Sequence, residues 1–103
     1  MAQTPEGKVK MAVKKLLDIH GVYYFMPVSN GMGRHGIPDV ICCVAGKFLA
    51  IECKAGKGKT TPLQDRELAH INHAGGVALV IRDNEADFHM LNNCITDLKG
   101  KYA

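Results

Sequence analysis

Apolar positions recur along this chain with two periods, and the places where the period changes outline the fold. Thr4-Pro5-Glu6 offers an N-cap, a proline at the first helical position and an acid in the first turn. Val9, Val13, Leu16 and Leu17 then recur at three- to four-residue spacing, the stripe of an amphipathic helix that stops near Gly21. Val22-Tyr23-Tyr24-Phe25-Met26 is β-branched and aromatic, a strand that ends at or soon after Pro27. A glycine-rich loop, Asn30-Gly31-Met32-Gly33-Arg34-His35-Gly36, leads into Ile37-Pro38-Asp39. Residues 39–45 and 47–54 are short apolar runs joined across Gly46, which predicts an antiparallel hairpin. Thr61-Pro62-Leu63-Gln64 is a capping-box pattern opening a helix through about Ala74, residues 77–82 read as a strand, and Asn84-Glu85 opens a last helix ending near Gly100. In that helix Phe88, Leu91, Ile95 and Leu98 form an apolar stripe, a candidate subunit interface whose favoured use is packing on the chain's own sheet, and the sequence leaves the two uses open. The order α-β-β-β-α-β-α predicts one α/β domain over residues 1–103, a mixed β-sheet flanked by helices, with the second helix as a right-handed parallel crossover.

Pairing of the hairpin brings charge together. Asp39, at the start of one strand, comes to lie near Glu52-Cys53-Lys54 at the end of the other. Glu52 and Lys54 share one face, while the Cys53 side chain points to the opposite one and leaves its backbone carbonyl beside the carboxylates. Mg²⁺ prefers oxygen ligands, keeps several waters and is commonly held by one or two carboxylates plus substrate phosphate. Asp39, Glu52 and the Cys53 carbonyl therefore form a candidate metal site, with Lys54 placed to stabilise negative charge or to orient an attacking hydroxide. The plainer alternative is an ordinary Glu52–Lys54 ion pair at a strand end and a turn role for Asp39 after proline.

Composition narrows the classes. One hundred and three residues make a single small domain, near the lower end for independent stability, so a homodimer is an expected state. The net charge of +3 is unevenly spread: residues 1–59 carry nine Lys/Arg against four acids, and residues 60–103 carry four against six. The candidate site lies in the basic half, which suits a surface that meets phosphate. Lys57 and Lys59 form a basic loop directly after Lys54, and Arg34 and His35 sit in the glycine-flanked loop before Asp39, so all four are candidate DNA contacts. No G-x-x-x-x-G-K-[ST] pattern is present, which argues against nucleotide hydrolysis. His70 and His73 share a helix face with no third ligand nearby in sequence, and the four cysteines lack C-x-x-C spacing and read as buried free thiols. No signal pattern or membrane-length apolar run appears, so the expected location is cytoplasmic, bacterial or, for a viral protein, in the host.

Taken in order, Glu6, the glycine-rich stretch, Ile37-Pro38-Asp39, Ile51-Glu52-Cys53-Lys54, a polar glycine-containing loop, Thr61-Pro62-Leu63-Gln64, Gly75-Gly76 and Val77-Ala78-Leu79-Val80-Ile81 resemble the virus-type replication-repair nuclease (VRR-NUC) domain of the PD-(D/E)xK nuclease superfamily. The resemblance covers most of the chain. It implies a restriction-endonuclease-like core, Asp39 and Glu52 as metal ligands, Lys54 as the catalytic lysine, Glu6 as a helix-borne supporting acid and Gln64 as the glutamine beside the site. Read from the residues alone, Glu6 equally favours the helix dipole and Gln64 equally serves its own helix cap. Cys53 stands where such motifs often carry a branched aliphatic residue. The activity implied is a Mg²⁺- or Mn²⁺-dependent endodeoxyribonuclease, for small stand-alone members a homodimer acting on branched DNA such as Holliday junctions. The alternative is a nucleic-acid-binding module of a repair or replication assembly that keeps the fold without turnover.

Overall fold

A computed structural model describes residues 4–28 and 33–102, so Asn30, Gly31 and Met32 of the glycine-rich loop lie outside the described residues. The elements run α1 (Pro5–Ile19), β1 (Tyr23–Phe25), β2 (Val40–Val44), β3 (Lys47–Lys54), α2 (Pro62–His73), β4 (Val77–Arg82) and α3 (Glu85–Tyr102). The order α-β-β-β-α-β-α is the one the hydrophobic pattern predicts. Local chemistry sets the boundaries. The Thr4 hydroxyl accepts from the Gly7 N–H at 3.0 Å and Pro5 occupies the first turn of α1. Asn84 Oδ1 accepts from the Asp87 N–H at 2.7 Å, capping α3.

The sheet has the order β1-β2-β3-β4, with β1–β2 and β2–β3 antiparallel and β3–β4 parallel. The β2–β3 turn uses two left-handed residues, Ala45 (φ 51°) and Gly46 (φ 82°), so the hairpin bends at a two-residue turn rather than at glycine alone. Its register pairs Val40 with Ile51 and Val44 with Lys47, which sets Asp39, one residue before β2, beside Glu52.

Alternation divides the sheet into two unlike faces. Val40, Cys42, Val44, Leu49, Ile51, Cys53 and Ile81 join Val9, Val13 and Leu17 of α1 and Leu91, Ile95 and Leu98 of α3 in one core. The α3 stripe is thus spent on the chain's own sheet. None of that core comes from α2, whose buried residue is a charged one, Glu67. On the opposite face Tyr23, Cys43 and Phe48 stand side by side across three strands, and all three are exposed. Cys43 therefore corrects the expectation of uniformly buried thiols: Cys42 and Cys53 are buried, Cys94 is half-buried, and Cys43 faces outward because it is one residue out of phase with Cys42.

Candidate active site

Three elements place one acid each at the same point. Glu6 comes from the first turn of α1, Asp39 from the entrance to β2 and Glu52 from the end of β3, and one carboxylate oxygen of each lies within 4.8 Å of the others. Asp39 is held by the strand beside it: its Oδ2 accepts from the Cys53 N–H at 2.8 Å. In a strand, N–H and C=O of one residue project from the same edge, so the Cys53 carbonyl is also directed toward Asp39. The Cys53 thiol points into the core, where burial first, and Asp39 and Glu52 next, push it up to about 12.

Glu52 carries most of the electrostatic tension. It is 2% exposed, and its Oε1 is buried without a hydrogen-bond partner. Burial, then the neighbouring Asp39, raises its carboxyl from 4.5 to about 8, with Lys54 opposing the rise. Lys54 Nζ lies 3.7 Å from Glu52 Oε2 and is 14% exposed, while Gln64 Nε2 donates to the same oxygen at 3.1 Å. The two competing readings of Gln64 are both realised. Its Oε1 accepts from the Thr61 N–H at 2.9 Å, its own N–H donates to Thr61 Oγ1 at 3.2 Å, and its amide nitrogen still reaches Glu52. A helix cap and a contact to the acid are one side chain.

A close cluster of three acids, one with an orphaned buried oxygen, is chemically fitted to a hard divalent cation: all donors are oxygen and the charge is short of compensation. A Lys beside it and a Gln fixing one carboxylate complete a site able to act on a phosphate ester.

The sequence profile of the archaeal Holliday junction resolvase (Hjc) family matches residues 8–99, nearly the whole chain. The chain belongs to the Hjc family. It is also 37% identical, over 73 residues covering 70% of this chain and 75% of the other, to a protein of Acyrthosiphon pisum secondary endosymbiont phage 1 named "Putative nuclease p44". Among solved structures, a "VRR_NUC domain protein" superposes with a TM-score of 0.70 over 94% of this chain and 92% of the other, at 20% identity, a likeness of fold. The VRR-NUC resemblance read from the motifs thus holds for the architecture, and the sequence family is Hjc; the family match and the phage relative place the chain among nucleases.

Around the acids, this Hjc-family chain carries contacts that no motif announced. Lys10, one turn after Glu6 on α1, places its Nζ 3.5 Å from Asp39 Oδ1. Its i+4 spacing from Glu6 was the available signal. Arg34, expected to clasp phosphate, is engaged within the chain: Nε and Nη2 form a two-pronged pair with Glu67 Oε1 and Oε2 at 3.0 and 2.8 Å. The Arg34 guanidinium holds the Glu67 carboxyl below its ordinary range. Gly36 presses on the start of α2, where a Cβ would lie 2.6–2.8 Å from the Leu63 and Gln64 backbone. Arg34 and Gly36 together dock the loop onto the helix that delivers Gln64. His35, Lys57 and Lys59 are exposed, and Arg82 Nη2 donates to the Gly58 carbonyl at 3.3 Å, tethering the loop that bears the two lysines. His70 and His73 join no acid or thiol cluster among the described residues. No helix among those residues is long and apolar enough to cross a membrane.

Proposed function

We propose that this chain is a divalent-metal-dependent endodeoxyribonuclease that hydrolyses phosphodiester bonds in branched DNA, four-way junctions above all. The observation that carries the reading is the convergence of Glu6, Asp39 and Glu52, with the buried Oε1 of Glu52 left unpartnered. Asp39, Glu52 and the Cys53 carbonyl would hold Mg²⁺ or Mn²⁺, with Glu6 supporting them. When bound, such an ion supplies Lewis acidity toward the scissile phosphate and lowers the pKa of a coordinated water. The protein's own groups do the rest. Gln64 fixes the orientation of Glu52, Lys54 offers an ammonium to the charge that builds on the phosphate oxygens, and exposed Lys57 and Lys59 contact the DNA backbone. Arg34 serves in the DNA-free protein as a tether of its loop, and His35 beside it remains an exposed candidate contact.

Junction preference is supported by the Hjc family match and by symmetry. A four-way junction needs two incisions, and a two-fold dimer presents two identical sites. A second copy is the occupant we assign to the open sheet face, where Tyr23 is 71%, Phe25 50% and Phe48 45% exposed in one apolar band.

Cleavage of a four-way junction, a flap and linear duplex with Mg²⁺ or Mn²⁺, beside Lys54→Ala and a chelator control, tests the proposal. Junction-selective cutting that both controls abolish is expected. Tight DNA binding with no cutting of any substrate would replace it with the non-catalytic module.

A further inference from the structure

Two of the three acids of the site, Asp39 and Glu52, are already partnered by ammonium groups. Lys54 lies 3.7 Å from Glu52, and Lys10 lies 3.5 Å from Asp39. The two lysines differ in setting: the Lys54 side chain is 14% exposed, whereas Lys10 is 33% exposed and its partner Asp39 21%. Both oxygens of Asp39 are engaged, Oδ2 by the Cys53 N–H and Oδ1 by Lys10. The backbone contact is fixed by the β2–β3 register. The Lys10 contact is a partly exposed ion pair on a flexible four-carbon stem, of the kind that contributes little and exchanges readily.

Any cation bound by the acid cluster must share Asp39 with that ammonium or displace it. Two positive groups cannot settle on one carboxylate oxygen without repulsion, and a divalent ion has the stronger claim on it. From these contacts we infer that Lys10 is a resident counter-ion of the site. It neutralises Asp39 in the metal-free protein, is displaced from Oδ1 when a divalent ion binds, and then offers its ammonium to the DNA backbone. Lys10 thus couples occupation of the acid cluster to affinity for phosphate, and acts on the reaction as a positioning and charge-exchange residue. The inference rests on the metal-dependent reading of the site.

Its test needs no turnover. Mn²⁺ is titrated calorimetrically into chelator-stripped, DNA-free protein for the wild type, Lys10→Gln and Asp39→Asn. Removal of the resident charge is expected to tighten Mn²⁺ binding in Lys10→Gln by about twofold to fivefold, the range a partly exposed ion pair supplies. Asp39→Asn is expected to weaken it. The salt dependence of four-way-junction binding is then measured in EDTA and in Ca²⁺. Lys10→Gln should lower the slope of log affinity against log salt by about one in Ca²⁺ and leave it unchanged in EDTA. Mn²⁺ affinity no tighter in Lys10→Gln, with Asp39→Asn still impaired, would overturn the inference and leave the metal site standing. An equal loss of slope in EDTA and Ca²⁺ would also overturn it, since Lys10 would then be a permanent DNA contact. Wild-type protein that binds no Mn²⁺ would remove the metal-dependent reading itself.

Discussion

Gly36→Ala isolates the docking of the loop onto α2. Gly36 sits at φ +78°, and a Cβ there would lie 2.6 Å from the Leu63 carbonyl carbon, 2.7 Å from its oxygen and 2.8 Å from the Gln64 nitrogen. The left-handed backbone alone costs an alanine roughly 1–2 kcal/mol, of which reduced freedom in the unfolded chain offsets about 0.4–1 kcal/mol. The clash adds to this, because all three close atoms are backbone of the first turn of α2, whose capping box contributes about 1 kcal/mol. Relief comes by displacing that turn or by peeling the loop away with Arg34, so a net loss of about 2 kcal/mol follows. For a domain of this size that is a melting temperature lower by about 8–16 °C. Gly33, in the same loop, has nothing among the described residues within 4 Å of a built Cβ, so Gly33→Ala is the matched control. Thermal melts of both variants should separate them clearly, and junction cleavage should fall in Gly36→Ala through Gln64. Equal melting temperatures for wild type, Gly33→Ala and Gly36→Ala would refute the account of the loop.

Two further outcomes follow from the same geometry. Glu52 has its carboxyl raised from 4.5 to about 8, so the folded chain binds that proton more tightly than the unfolded one. This group's contribution to stability is thus fully present below about pH 4.5, and roughly 3 kcal/mol of it is lost by pH 7, because the unfolded chain ionises there while the folded one still holds the proton. Glu52→Gln keeps the shape, so in EDTA it should melt higher than wild type at pH 7 and the two should converge at pH 4; a lower melting temperature at pH 7 would contradict the assignment of the strain to Glu52. Cys43 is exposed within the open apolar face, whereas burial pushes the Cys42 and Cys53 thiols up to about 12. Maleimide should modify Cys43 rapidly in dilute protein, Cys42 and Cys53 hardly at all, and Cys43 progressively less as protein concentration rises; concentration-independent labelling would count against a dimer through this face.

Much of the candidate site's geometry is legible in the sequence because it rests on strand alternation and hairpin register, both local in sequence. Asp39 lies beside Glu52 because the runs flanking Ala45-Gly46 pair in the register that a two-residue turn allows. The capping box at Thr61 was equally local. What escaped was settled by approach of distant segments. Arg34 and Glu67 are 33 residues apart, and no periodicity links a glycine-rich loop to one particular turn of a later helix. Lys10 lay within reach of a helical-wheel reading, yet its value depends on Asp39, which only the packing of α1 against β3 brings near. Cys43 was misjudged because hydrophobic type was read as burial on both faces of β2, when only one face is covered by α1 and α3.

The central claim is that the Asp39, Glu52 and Lys54 cluster cuts DNA rather than only holding it. Single-turnover cleavage of a four-way junction with Mg²⁺, measured beside equilibrium binding of the same DNA, tests this most directly when wild type is compared with Asp39→Asn. The account predicts binding within a few-fold of wild type and cleavage reduced by about a hundredfold to a thousandfold, the scale expected when electrostatic stabilisation of a transition state is removed. Asp39→Asn protein that cleaves the junction at the wild-type rate would contradict it.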